Sequence, residues 1–372
     1  MKIGILTGGG DTAALNATLY GILLEAHRLN HQVFGFRYGW KGALNPADYL
    51  LLQAVDPNQG GTILKTSRTK LKGATIDEAA ENIERLVDAF IGIGGDDTLS
   101  VGKILAERLK IPVCFVTKTI DNDVGRNAPA GDIDFSDIVN YFTLGFPTAC
   151  ARIVDYASQL RTTAYSHDRV MFLEAMGRKP GWLALASYRA DPDFIIIPEV
   201  GLNYGLFLEK LVERYNKEKN VIVVVAEGAR YEGQETPISE DANKVDAFGH
   251  KKLGGVTQIL ADRVKKDTKI ENCNYINPGH LYRSGPPTGF DRETAISLGK
   301  LAANNVFNGL TGGVAVVQRE GSKIVTATRP IDEVLLADST GRIIPRTVDL
   351  RFYDTNTYSI TGLGREYFKL IR

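Results

Sequence analysis

Short apolar runs alternate with stretches of helical spacing along the first third of the chain. Residues 3–7 run into Gly8-Gly9-Gly10-Asp11, and residues 15–29 then carry apolar side chains at helical intervals. Residues 90–93 run into Gly94-Gly95-Asp96-Asp97-Thr98, after which Leu99, Val101, Ile104, Leu105 and Leu109 share one helix face. Residues 113–116 run into Thr117-Lys118-Thr119-Ile120-Asp121-Asn122-Asp123. This alternation predicts buried parallel strands joined by helical crossovers, an α/β fold. Ligands of such sheets bind beyond the carboxyl ends of strands, where these three loops fall. Further strands are predicted at 169–174, 194–197, 221–226 and 313–317. Helices are predicted near 181–188, 206–216, 256–266 and 293–304, and from 148 onward. The Gly/Asp/Asn/Pro-rich stretch 123–132 marks a domain change near 132–136, with a return after about residue 267. Tyr353, Tyr358 and Tyr367 are expected to pack the C-terminal tail onto a domain.

Composition narrows the function classes. With 372 residues, 44% of them hydrophobic and 24% charged, the chain has material for two or three domains with ordinary cores. Its 44 Lys+Arg balance 44 Asp+Glu, which argues against a nucleic-acid binder that must offset phosphates. No apolar run reaches the ~18–20 residues of a membrane span, and Met1-Lys2-Ile3-Gly4 meets glycine before a signal-peptide apolar region forms. Cys114, Cys150 and Cys273 are far apart and odd in number, giving neither a disulfide framework nor a zinc spacing. A cytoplasmic protein without nucleic-acid or membrane partners is expected. The 38 glycines are the one skew, and they gather in the loops after strands.

Those loops could carry chemistry. At Gly94–Thr98, two glycines let a ligand approach the backbone at the start of a helix. Asp96 and Asp97 would repel a bare phosphate, an objection that a divalent cation reverses. A tight turn with an Asp cap would explain the loop equally well. Lys118, Asp121 and Asp123 combine a cation with two carboxylates two residues apart, which suits a general base and a metal-orienting group near a phosphoryl centre. Two familiar nucleotide cradles are missing. Gly102-Lys103 is followed by Ile104 rather than Ser or Thr, and Ala13 stands where the dinucleotide fingerprint has its third glycine. In the second half, Arg169, Arg178, Lys179, His280 and Arg283 fit recognition of phosphates or sugars, and Glu227, ending a very apolar strand, could bind hydroxyls. His27, His31 and His250 join no cluster.

In this order the loops resemble those of the phosphofructokinase family. The similarity runs from Lys2 to about Val317 through GGDDT (94–98), KTIDND (118–123), TTAYSHDRV (162–170), MGR (176–178), VVVAEG (223–228) and FGHKKLGGV (248–256). The resemblance implies two Rossmann-like three-layer lobes with mainly parallel sheets and an active site in the cleft between them. It divides the chain into a donor lobe (1–134 plus about 268–310), a sugar-phosphate lobe (135–267 plus about 311–350) and a packed tail (351–372). It implies transfer of a phosphoryl group to a sugar phosphate, fructose 6-phosphate first, in glycolysis and gluconeogenesis. On the family pattern Asp121 matches the general base, Asp96 and Asp123 the Mg²⁺ positions, and Thr119 and Arg178 the groups that stabilise the moving phosphoryl. Gly10, Arg68, Gly95, Asp97 and Thr98 match the donor side. Met176, Gly177, Glu227, His280 and Arg283 match the sugar-phosphate side. Arg169 matches an arginine that reaches a neighbouring subunit's active site, implying a homo-oligomer, a dimer or tetramer.

The resemblance also bears on the donor. ATP-using members generally have glycine where Asp97 and Lys118 stand, and pyrophosphate-using members are similar to this chain at both. The physical chemistry agrees: a carboxylate at 97 crowds and repels the α-phosphate of ATP, and Lys118 can bind pyrophosphate and its leaving phosphate. Pyrophosphate is therefore the expected donor. Asn274 stands where the family usually has a second intersubunit arginine, and Lys179 where a neutral or histidine residue is common. These departures motivate a second reading, another sugar phosphate, sugar or polyol as acceptor. A third reading is a regulatory subunit without catalysis, against which the presence of Asp121 speaks.

Overall fold

The computed structural model describes residues 1–45, 47, 49–67, 69–245 and 251–372. In chain order the strands are β1 (Lys2–Thr7), β2 (Gln32–Phe36), β3 (Tyr49–Leu52), β4 (Ala89–Gly94), β5 (Val113–Thr119), β6 (Leu144–Gly145), β7 (Val170–Ala175) and β8 (Phe194–Ile196). They continue as β9 (Val221–Ala226), β10 (Asp241–Val245), β11 (Lys251–Lys252), β12 (Cys273–Ile276), β13 (Gly313–Glu320), β14 (Lys323–Pro330), β15 (Tyr353–Asp354) and β16 (Ser359–Ile360). Two compact units result: Met1–Thr148 with Arg283–Arg346 and Arg372, and Ala149–Tyr282 with Thr347–Ile371.

The first unit is built on a sheet of order β14-β13-β5-β4-β1-β2-β3, with β6 paired to β5. Its central strands run parallel, and only β3 and β14 run antiparallel to their neighbours. The apolar runs are continuous because both faces are covered. Leu6, Phe90, Phe115, Val314 and Val316 join one core with Ile76, Ile83, Leu99 and Leu105 from helices Ala74–Leu86 and Asp96–Arg108. The alternate residues Ile5, Ile91, Cys114 and Val116 are buried too. Over that second face lies helix Gly289–Phe307, whose Asn305 Nδ2 donates to Cys114 Sγ at 3.5 Å. The chain leaves β1 toward β2 on one side and returns to β4 on the other. The topological switch point therefore falls between β1 and β4, the place where open α/β sheets bind ligands.

The second unit has a parallel sheet, β12-β7-β9-β8. Val170, Phe172, Val223 and Val225 pack on Phe207 and Leu211 of helix Tyr204–Glu218 and on Leu260 and Val264 of helix Val256–Asp267. The tail is part of this unit. Ile195 N–H donates to Tyr358 O at 2.7 Å, Tyr353 Oη donates to Ile195 O at 2.6 Å, and Trp182 packs against Tyr367.

The division differs from the expected one in three places. Residues 311–346 belong to the first unit, because β13 pairs in parallel with β5 and carries β14 as its hairpin partner. Residues 268–282 belong to the second, because β12, a strand not predicted from the sequence, pairs with β7. The change between units comes at Thr148–Ala149, inside helix Phe146–Ser166, rather than near 134. Among the described residues no helix is long and apolar enough to cross a membrane.

Candidate functional site

In the first unit, β5, β4 and β1 are adjacent and parallel, so their three following loops share one edge of the sheet. Thr98, in the first turn of helix Asp96–Arg108, knits two of them together. A Cβ on Gly8 or on Gly94 would meet Thr98 Oγ1 at 2.4 Å, so both positions must be glycine for the loops to close around that buried side chain. Thr98 thus packs the loops rather than facing them. Gly95 stands against the end of β5, where a Cβ would lie 3.6 Å from Lys118 O and 3.9 Å from Thr119 Cβ, and Asp96 and Asp97 lie in the favourable first turn of the helix. Asp97 is exposed, and its carboxylate pairs with Lys70 at 3.3 Å.

Lys118 crosses this edge. Its side chain is 2% exposed, and Nζ donates to Gly10 O, linking the end of β5 to the loop after β1. Burial lowers its pKa from 10.5 to about 8; Asp11, Asp123 and Asp96 oppose that shift, and Arg283 adds to it. Arg283 was expected among the sugar-phosphate groups. It lies instead in the first unit, with Nε 3.2 Å from Asp11 Oδ1.

The turn after β5 carries the acidic groups. Thr119 Oγ1 accepts from Asp121 N–H at 3.1 Å, and Thr119 O accepts from Thr143 Oγ1 at 2.6 Å. Asp123 is held well above the usual carboxylate range, first by burial and then by the carboxylates of Asp121 and Asp96; a hydrogen bond with Thr119 works against the shift. Its Oδ1 is closed to solvent and has no hydrogen-bond partner. Among the described residues no group of three or more metal-binding side chains could hold an ion alone. Mg²⁺ needs only one or two carboxylates beside phosphate oxygens and water. Crowded carboxylates with an unsatisfied inward oxygen fit such an ion.

In the second unit, the loops after β7 and β9 are stitched together. Glu227 N–H donates to Ala175 O at 2.8 Å, Gly228 N–H to Gly177 O at 3.2 Å, and Gly177 N–H to Glu227 Oε1 at 3.4 Å. Met176, Gly177, Arg178 and Glu227 are thereby brought together. A Cβ on Gly228 would come 1.9 Å from Arg178 O, so the approach depends on that glycine. His280 is exposed in the turn Gly279–Tyr282 after β12, at the same carboxyl edge. Arg169 precedes β7 at the opposite end, with Nη1 donating to Thr163 Oγ1 at 2.8 Å. A strand of six residues, about 20 Å, separates it from Met176. Asn274 pairs with Met171 toward that same far end.

Glu174 was absent from the expected site. It is 2% exposed and accepts from Gly255 N–H at 3.0 Å, Thr257 Oγ1 at 3.0 Å and Asn277 Nδ2 at 2.6 Å. It thereby fixes the loops that lead into helix Val256–Asp267 and toward His280. A carboxylate inside the run Val170-Met171-Phe172-Leu173-Glu174-Ala175 was the signal available in the sequence. Arg68, His250 and the first residues of the 248–256 motif lie outside the described residues.

A profile of the family described as phosphofructokinase matches residues 2–306. A pyrophosphate–fructose 6-phosphate 1-phosphotransferase of Dictyoglomus thermophilum is 37% identical over 363 residues, 95% of this chain and 97% of that protein. An ATP-dependent 6-phosphofructokinase of Corynebacterium efficiens is 36% identical over 337 residues, 88% of this chain and 92% of that protein. The crystal structure of a pyrophosphate-dependent phosphofructokinase from Marinobacter aquaeolei matches with a TM-score of 0.82 at 22% identity, covering 100% of this chain and 91% of that one. At that identity the likeness shows the fold, two mainly parallel α/β lobes.

Proposed function

The chain belongs to the phosphofructokinase family, and on that premise we propose that it transfers a phosphoryl group from pyrophosphate to fructose 6-phosphate, giving fructose 1,6-bisphosphate and phosphate. Relatives naming pyrophosphate and ATP stand at nearly equal identity, so the donor is argued from this chain's own residues. The observation that carries it is Lys118, a buried ammonium set across the loops at the switch point of the first sheet. Such a charge is costly to bury unless a ligand anion meets it, and pyrophosphate supplies one. Asp97, exposed at the head of the neighbouring helix, opposes an α-phosphate there.

Asp121 takes the proton of the acceptor hydroxyl as that oxygen attacks a pyrophosphate phosphorus in line. Thr119 orients Asp121 through its main-chain N–H and, with Lys118 and Arg178, offsets charge on the moving phosphoryl. Gly10, Gly95 and Arg68 serve the donor side. Met176, Gly177, Glu227 and His280 serve the acceptor. Arg283 is assigned to the acceptor by motif, although its partner Asp11 places it beside the donor loop. Asp96 and Asp123 would hold Mg²⁺, which when bound neutralises phosphate charge. Pyrophosphate and phosphate esters are similar in energy, so the reaction runs in both directions, in cytoplasmic glycolysis and gluconeogenesis. The position of Arg169, a strand's length from its own chain's acceptor loop, supports service to a neighbouring subunit in a homo-oligomer.

Asn274 keeps a second reading open, the same donor with another acceptor. A panel of sugar phosphates, sugars and polyols assayed with pyrophosphate and Mg²⁺ separates the two. The first reading expects the highest kcat/KM for fructose 6-phosphate, and a much higher value for another acceptor overturns it.

A further inference from the structure

Arg346 lies beyond the stretch 2–306 that the family profile matches, and it is 1% exposed. Its donors grip the turn after β5 and the main chain at Asn140. Nε and Nη2 donate to Asn122 O at 3.1 and 2.9 Å, Nη2 also donates to Asn122 Oδ1, and Nη1 donates to Asn140 O at 2.6 Å. The Arg346 main-chain N–H donates to Asp123 O at 2.7 Å. Asn122 is itself buried and left-handed, with φ 55°, and its Oδ1 accepts from Thr143 N–H at 3.2 Å. A short amide side chain tolerates that conformation, but it still needs surroundings that hold it there.

We propose that Arg346 is a positioning residue for phosphoryl transfer, locking the Asp121–Asn122–Asp123 turn from behind so that the two flanking carboxylates keep their aim. This rests on the reading of Asp121 as the base. The side chains at 121 and 123 leave the backbone on either side of Asn122, so any relaxation of that residue's φ swings both. Proton transfer to a base tolerates only a fraction of an ångström of misplacement. The rigid planar fork of a guanidinium meets acceptors in several directions at once, which a lysine ammonium on a flexible stem does not.

Arg346→Met and Arg346→Lys test the proposal, with kcat and KM corrected for the folded fraction by circular dichroism. Arg346→Met is expected to lower kcat about 100-fold with KM for pyrophosphate within about threefold, and Arg346→Lys to fall between it and wild type. Guanidinium ion at millimolar concentration is expected to restore part of kcat to Arg346→Ala, a response that a purely stabilising residue would not give. A folded Arg346→Met with kcat within about twofold of wild type overturns the proposal. If Arg346→Met does not fold, an unaltered kcat in Arg346→Lys overturns it alone. The comparison uses whichever donor–acceptor pair the wild type turns over. Inactivity toward fructose 6-phosphate therefore counts against the proposed function, and an unaltered kcat counts only against Arg346.

Discussion

Replacing Lys118 by methionine should make the protein more stable and a worse enzyme. The side chain is 2% exposed, and burial holds its pKa near 8 against 10.5. At pH 7 that depression corresponds to about 3 kcal/mol of stability forgone by keeping the charge inside. Methionine has similar length and no charge, but it leaves Gly10 O without its donor, a loss of about 1 kcal/mol. The net expectation is a gain of about 2 kcal/mol at pH 7, a rise in Tm of several degrees by calorimetry. The sign follows from the direction of the shift. A lysine with a lowered folded-state pKa destabilises below about 8, and the penalty fades as pH rises from about 8 toward 10.5, so the gain from Lys118→Met fades over that range. Catalysis should move the other way. Losing one charge-assisted contact to phosphate costs about 1.5–3 kcal/mol, or about 10- to 150-fold in kcat/KM for pyrophosphate. A variant that melts lower than wild type at pH 7 yet retains its kcat/KM for pyrophosphate would refute both halves of the reasoning.

Three other expectations follow from the same geometry. Because Lys118 sheds its proton near pH 8 in the free enzyme, kcat/KM for pyrophosphate should decline above that pH, and Lys118→Arg, which stays charged, should lose that limb; pH profiles of the two proteins check this. Glu174→Ala leaves buried donors of Gly255, Thr257 and Asn277 unsatisfied and should destabilise the second unit by on the order of 3 kcal/mol, read from urea unfolding. Gly228→Ala sets a methyl 1.9 Å from Arg178 O, so it should cost about 1–3 kcal/mol and lower kcat by displacing Arg178; thermal melts with steady-state assays would report both.

The readable part of this protein was local. The runs before Gly8, Gly94 and Thr117 announced β1, β4 and β5, because buried parallel strands are apolar on both faces and end in glycine-rich loops. Strand β12, in contrast, is edge-bound and three of its four residues are exposed, so Asn274-Tyr275-Ile276 carried no burial pattern to detect. The hairpin strand β14 escaped for the same reason, since its residues are only partly buried. Membership of residues 311–346 in the first unit is set by pairing across the sheet with β5, which no local pattern encodes. The site candidates after β4 and β5 stood out in the sequence as carboxylates and a lysine directly following apolar strands. The residues that hold them were less so. Arg346 is 224 positions from the turn it grips, and the donors that meet Glu174, Gly255 N–H, Thr257 Oγ1 and Asn277 Nδ2, are 81, 83 and 103 positions away along the chain.

The most direct measurement is the ratio of kcat/KM for pyrophosphate to that for ATP, with Mg²⁺ and fructose 6-phosphate fixed. With Lys118 buried across the donor loops and Asp97 set at the helix head, the ratio should exceed about 100. A ratio at or below one would contradict the assignment of the donor to these two residues.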